Sequence, residues 1–145
     1  MKIEEFKIGN SRHIVFKKIE DIAPWQDIGF ELLKLMESSP KCQLVNRALY
    51  IHLNGESDYS ISRSYTGSLS VPSEQYEITD FEQGQGFRLP INIEILYDTA
   101  KLDKFKNEFS SLCATSGVNK MSVWIRVQTL NGQIVAEMEN FFPMI

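Results

Sequence analysis

The chain has 145 residues, 43% of them hydrophobic, enough to bury one good core, so a single domain over 1–145 is expected. Its 15 basic and 19 acidic residues give a net charge of -4, which argues against a broad phosphate-binding surface and against direct contact with nucleic acid. The opening MKIEEFKIG lacks the basic-then-apolar order of a signal peptide, and no apolar run approaches the ~18 residues that span a bilayer. A cytoplasmic protein with no membrane contact is expected. The two cysteines, Cys42 and Cys113, do not read as a disulfide framework. His13 and His52 stand far apart without paired cysteines, so neither a metal site nor a cofactor is implied.

Residues 2–8 and 12–19 read as short strands around Gly9-Asn10-Ser11, with Ile14 and Phe16 on one face of the second and His13 and Val15 on the other. Pro24 then opens a helix whose apolar positions are Trp25, Ile28, Leu32, Leu35 and Met36, one stripe at helical spacing. Ser38, Ser39 and Pro40 end it. A strand over 47–53 leads through Asn54-Gly55 into a return run of Tyr59, Ile61, Arg63 and Tyr65. There a tight turn and a bulged three-residue turn compete, and the register stays open.

The second half repeats this order. A strand near 76–81 is followed by the flexible link Gln83-Gly84-Gln85-Gly86 and by an alternating strand over 87–97, with Pro90 at an edge or bulge and Glu94 on its wet face. Asp98 or Thr99 caps a helix that places Leu102, Phe105, Phe109, Leu112 and Cys113 on one side, with Gly117 as its stop. An offset of 77 residues carries the first helix stripe onto the second, Asn54-Gly55 onto Asn131-Gly132, and Ile14 and Phe16 onto Ile91 and Ile93. The expectation is an α+β fold of two halves, about 1–73 and 74–145, each strand-strand-helix-strand-strand. Joined edge to edge they make one curved antiparallel sheet of about eight strands with both helices on one face. The helix-free face then becomes a groove.

The chain closes on a hairpin whose Asn131-Gly132 turn fixes the register: Leu130 faces Gln133, Val127 Ala136, Arg126 Glu137, Ile125 Met138 and Trp124 Glu139. One face, with Val123, Ile125, Val127, Ile134, Ala136 and Met138, must be covered by the core. The other carries Trp124, Arg126, Gln128, Glu137 and Glu139, with a cross-strand Arg126/Glu137 pair expected.

This order resembles the gyrase-inhibitor-like fold, also the effector-binding domain of AraC-type and MerR-type transcription activators. Met1 to Ile8 resembles that family's opening strand, and Ile22 to Met36, with Trp25, its first helix. LYIHLNGESDYSISRSYTGSLSV, from Leu49 to Val71, is similar to its middle hairpin, and ENFFPMI, from Glu139 to Ile145, to its last strand. The resemblance implies a stand-alone, non-enzymatic module that binds a small, often cationic and aromatic molecule, or a protein partner, between the halves. Family members place a glutamate of the second half among aromatic rings. On that basis Trp124, Arg126, Glu137, Glu139, Glu94 and Tyr50 are the candidate ligand-binding residues.

No phosphate loop or nucleophile elbow is present. The catalytic alternative is a hydrolase with Glu139 or Glu94 as general base near Tyr50 or Tyr65. His52 reads as a half-exposed ring making one hydrogen bond. A further alternative is a toxin inhibitor or immunity-type protein whose acidic surface engages a basic partner.

Overall fold

The computed structural model describes residues 3–114 and 122–143. Their order is β1 (Glu4–Ile8), β2 (Ser11–Ile19), α1 (Trp25–Glu37), β3 (Cys42–Leu44), β4 (Leu49–Gly55), β5 (Asp58–Gly67), β6 (Tyr76–Phe81), β7 (Gly84–Ile91), α2 (Thr99–Ala114), β8 (Ser122–Leu130) and β9 (Gln133–Pro143). A short 3-10 helix, Ile93–Tyr97, lies between β7 and α2. The strands form one antiparallel sheet in the order β1-β7-β9-β8-β4-β5-β2-β6, with β3 added beside β5. The expected α+β architecture is present: two helices and a curled sheet that makes a half-barrel.

The pairing has a regular plan. β4 and β8 meet at the centre, each followed by its own hairpin partner, β5 and β9. The opening strand of each half crosses over: β1 pairs with β7, and β6 with β2. Neighbouring strands β1 and β2 therefore end up on different sides of the sheet, and the chain at Gly9-Asn10 bridges across its open end.

Side-chain alternation sorts the sheet into two faces. The helix-covered face carries Ile14, Leu49, Ile51, Leu53, Tyr59, Ile61, Leu89, Ile125, Val127 and Met138, which pack with Trp25, Leu32 and Met36 of α1 and Leu102 and Phe109 of α2. Gly29 lets α1 approach closely, since a Cβ there would press on the Leu49 side chain. Arg63, on the same face, donates its Nε–H to the Gly29 carbonyl at 2.9 Å, tying β5 to α1.

The hairpin register of β8 and β9 is as expected throughout. Other expectations are settled or corrected. Of the two turns left open for the first hairpin, the tight one at Asn54-Gly55 is not formed: Gly55 pairs with Asp58, so Glu56-Ser57 form the turn, Ser57 at φ 52, and the ladder shifts between Leu53 and Gly55. The bulge keeps Leu53 opposite Tyr59 on the core face. Gly84 and Gly86 belong to β7 rather than to a flexible link, and Gly86 is required because a Cβ would collide with the Asn140 carbonyl. β7 ends at Ile91, where the Asn92 side chain accepts the Glu94 N–H at 3.0 Å and starts the 3-10 helix. Glu94 is consequently exposed and off the sheet.

The offset of 77 is not uniform either. Phe16 opposes Ile61, whereas Leu89 is the residue opposing Met138, and Ile93 is in no strand. Leu112 departs from the helix stripe and is 47% exposed, while among the described residues α2 packs on the core through Leu102, Phe105, Phe109 and Cys113. Gly117 lies outside the described residues. Pro90 faces Glu137 of β9 and lies beyond the described β1 pairing, consistent with an edge position on that side. No helix of the described residues is long and apolar enough to cross a membrane.

Candidate functional site

The helix-free face is where alternation puts polar residues. On β5 these are Ser60, Ser62 and Ser64, on β2 His13, on β4 Tyr50 and His52, on β8 Trp124 and Arg126, and on β9 Glu137 and Glu139. Cross-strand registers align Ser60, His52, Trp124, Glu139 and Arg88 into one row across five strands. In a flat sheet this row would be wet. Here the sheet curls. Strands spaced about 4.8 Å apart would put β6 roughly 19 Å from β8, yet the Phe81 ring at the end of β6 lies 5.9 Å from Trp124 and 6.3 Å from Phe141. Phe81 crosses the groove and covers its floor.

Beneath it the rings form a closed set. Trp124 stacks on Phe141 at 5.4 Å and meets Tyr50 edge-on at 6.0 Å. His52 stacks on Phe81 at 5.9 Å, and His13 touches both Tyr50 at 4.9 Å and Phe81 at 4.8 Å. Ser62, fully buried, joins the two imidazoles, with its Oγ 2.9 Å from His13 Nδ1 and 2.7 Å from His52 Nε2. A hydroxyl has one proton, so Ser62 donates to one ring and accepts an N–H from the other. That arrangement suits two neutral imidazoles. Burial accordingly lowers His13 to a pKa of about 4 and, with the neighbouring His13 adding to it, His52 to about 3. His52 is thus only 7% exposed and tied into a network, and the half-exposed ring expected of it is corrected.

Glu139 is 2% exposed and accepts the Trp124 Nε1–H at 2.8 Å. Burial raises its pKa, against the opposing pull of the Trp124 hydrogen bond and the Arg126 charge. The bond holds the indole by its edge, with the Glu139 carboxyl beside the ring, on the neighbouring strand. Arg126 does not form the expected ion pair with Glu137. The Glu137 carboxylate instead lies 3.6 Å from Arg88 Nε, diagonal to it on β7, and Arg88 also reaches Glu4 at 3.3 Å. The third strand supplies the cation that the isolated hairpin would have had to provide itself.

A cavity of about 200 Å³ opens between this floor and the chain at Ile8 to Ser11; His13, Tyr50, Ser64, Phe81, Trp124 and Phe141 are among its lining. Among the described residues, none that lines it is charged. A second, more polar recess of about 480 Å³ lies on the other side of Phe81, against His52 and Ser60.

Of the sequence candidates, Trp124, Tyr50 and Glu139 are brought together, Arg126 and Glu137 flank them, and Glu94 is remote. His13, Ser62, Ser64, Phe81 and Phe141 were not singled out. The alternation of His13, and of the three serines on β5, placed them on the wet face; only the curl that carries Phe81 across reveals them as buried.

No protein-family model matches the sequence, and no curated protein matches it. Solved structures do. A crystal structure of a protein described as a bacterial transcription regulation protein from Staphylococcus aureus MU50 is similar at 10% identity with a TM-score of 0.60, covering 99% of both chains. EcmrR, seen by cryo-electron microscopy in a complex with DNA, is similar at 10% identity with a TM-score of 0.59. That match covers 99% of this chain and 58% of EcmrR, so the chain spans under two thirds of that protein. At such identity the likeness is one of fold. The expectation of no nucleic-acid contact gains no support from it, since EcmrR was observed on DNA. The fold of this chain is one found among bacterial transcription-regulator structures.

Proposed function

We propose that the chain is a small-molecule effector-binding module of the gyrase-inhibitor-like type, which receives an aromatic ligand in the groove of its curled sheet. The observation that carries this reading is the ring-lined cavity of about 200 Å³ among Tyr50, Phe81, Trp124 and Phe141. Rings on several sides give an aromatic guest stacking and edge contacts, each pair contributing about 0.5–1.5 kcal/mol beyond area burial. A cationic guest gains in addition from the Trp124 and Tyr50 faces, roughly 0.5–2 kcal/mol. The Glu139 carboxyl, bonded to the Trp124 Nε1–H at the edge of the indole, is not among the described residues lining the cavity. Ser11 and His13 meet at 3.2 Å in the lining, but burial holds His13 near pKa 4, its other nitrogen is bonded to Ser62, and among the described residues no carboxylate lines the cavity to orient it, so binding rather than turnover is the reading.

Thermal-shift measurements with benzyltrimethylammonium and its neutral isostere neopentylbenzene test it. Both raise the Tm of the native chain, the cation more, and Trp124→Ala abolishes the response while the variant still melts cooperatively. A native chain whose Tm is unmoved by every aromatic compound at millimolar concentration overturns the reading.

A further inference from the structure

The cavity has one polar feature that ring packing leaves unused. Ser64 is 3% exposed and lines the cavity, and among the described residues no group hydrogen-bonds its Oγ. Several of the other polar atoms around it are committed. Asn10 Oδ1 accepts the Gln83 N–H at 2.6 Å, and Asn46 Oδ1 accepts the Ala48 N–H at 2.8 Å. His13 uses Nε2 with Ser11 at 3.2 Å and Nδ1 with Ser62 at 2.9 Å. Ser62, two residues along the same strand and on the same face, has both imidazoles. Ser64 stands beside them with donor and acceptor capacity unspent, in a place where an unpaired hydroxyl is costly.

The size of the space narrows what can answer it. An apolar cavity of about 150 Å³ takes up benzene, so about 200 Å³ admits one ring with a small substituent or two fused rings. Phe81 closes it on one side and Trp124 on another. With no charged residue among the described residues of the lining, an anionic guest finds no counter-charge there. We infer that the site selects a compact aromatic molecule, neutral or cationic but not anionic, bearing a single hydroxyl or equivalent hydrogen-bonding group, and that Ser64 Oγ is the anchor for that group. The inference rests on the aromatic-binding reading above and names its ligand class. Ser64 then does what a ring wall cannot: it distinguishes guests of equal shape, because only the hydroxylated one satisfies the buried oxygen.

Two isosteric pairs test the anchor: phenol against toluene, and 2-naphthol against 2-methylnaphthalene, by calorimetric titration or by competition with a bound fluorophore. The native chain is expected to prefer each hydroxylated compound by about tenfold, the weight of one buried hydrogen bond. Ser64→Ala should bring the ratio to about one while toluene binding is kept or improved, and Ser64→Cys, with a weaker donor, should fall between. Retained toluene binding in Ser64→Ala also shows that the variant has folded around an intact cavity. A hydroxyl preference that survives Ser64→Ala overturns the anchor and leaves the aromatic reading standing. Equal affinity within each pair for the native chain means that a water already satisfies Ser64, and overturns the anchor as well. Absence of binding by all four probes and by benzyltrimethylammonium overturns both.

Discussion

The two faces of the sheet are buried by different means. The helix-covered face is apolar by alternation and would be covered in any fold that docks α1 and α2 on it; its burial is a property of sequence period. The groove face is polar by the same alternation, and it is buried because the sheet bends until Phe81 of β6 reaches Trp124 of β8. One side therefore holds its interior chiefly by hydrophobic contact, with Arg63 bonded to the Gly29 carbonyl, and the other must satisfy serines, imidazoles and a carboxylate out of water. The first kind of interior is indifferent to pH and tolerant of volume-conserving change. The second is sensitive to protons and to any loss of curvature.

The largest expected difference between them is in acid. Burial holds His13 near pKa 4 and His52 near 3, below the ordinary 6.5, so the unfolded chain takes up these protons at a higher pH than the folded chain does. Their contribution is complete above pH 6.5 and is lost as pH falls from there toward 4 and below. For His13 alone this is on the order of 3 kcal/mol by pH 4. Glu139 works the other way: its raised pKa means that acidification through that value favours the folded state and offsets part of the loss. Urea unfolding at pH 7 and pH 4.5 should show a net fall in stability, and His13→Gln with His52→Gln should flatten it. An unchanged slope in the double variant would show that the histidines are not held neutral by this network.

Curvature is the next point of attack. Phe81→Ala removes the side chain that covers the groove, and Phe81 is not a member of the helix-side core cluster. The native chain has two tryptophans, and Trp25 Nε1 has no hydrogen-bond partner among the described residues. Trp25→Phe is then a tolerable background in which Trp124 reports alone. In that background Phe81→Ala should shift Trp124 emission to the red and raise its acrylamide quenching several-fold, with a stability loss of about 1–3 kcal/mol. Emission that does not move would mean that the groove is closed by something other than Phe81.

How far the sequence could lead differs between the faces for the same reason. Val123, Ile125, Ala136 and Met138 announced both their strand and their direction, and Asn131-Gly132 fixed the pairing to the residue. The mirror case stayed open, because a local signal competed with the demands of the core. Asn54-Gly55 reads as a turn, but keeping Leu53 opposite Tyr59 in the core required the bulge and moved the turn to Glu56-Ser57. The run from Phe87 to Tyr97 alternates well enough for one long strand, but Asn92 caps a helical turn inside it. Trp124, Glu139 and Tyr50 were legible as one face. That His13 and Phe81 would arrive there was not, because their proximity depends on the summed twist of five strands, and twist leaves no residue pattern at the position it brings together.

The smallest effect concerns Arg126. Opposite Glu137 in register, it looks like that residue's partner, but Glu137 has Arg88 at 3.6 Å, and the Arg126 charge bears on Glu139, whose pKa it lowers. A double-mutant cycle on Arg126→Ala and Glu137→Ala should accordingly give a coupling near zero, while the same cycle on Arg88→Ala and Glu137→Ala should give about 0.5 kcal/mol, the ordinary value for a half-exposed pair. The charge of Arg126 should appear elsewhere. In Arg126→Ala the Glu139 carboxyl, followed by its carbon-13 shift during titration, should protonate at a higher pH than in the native chain, because the cation that partly repaid its burial is gone. If instead Arg126 and Glu137 couple and Glu139 does not move, the hairpin is electrostatically self-contained and the row from Ser60 to Arg88 does not act as one unit.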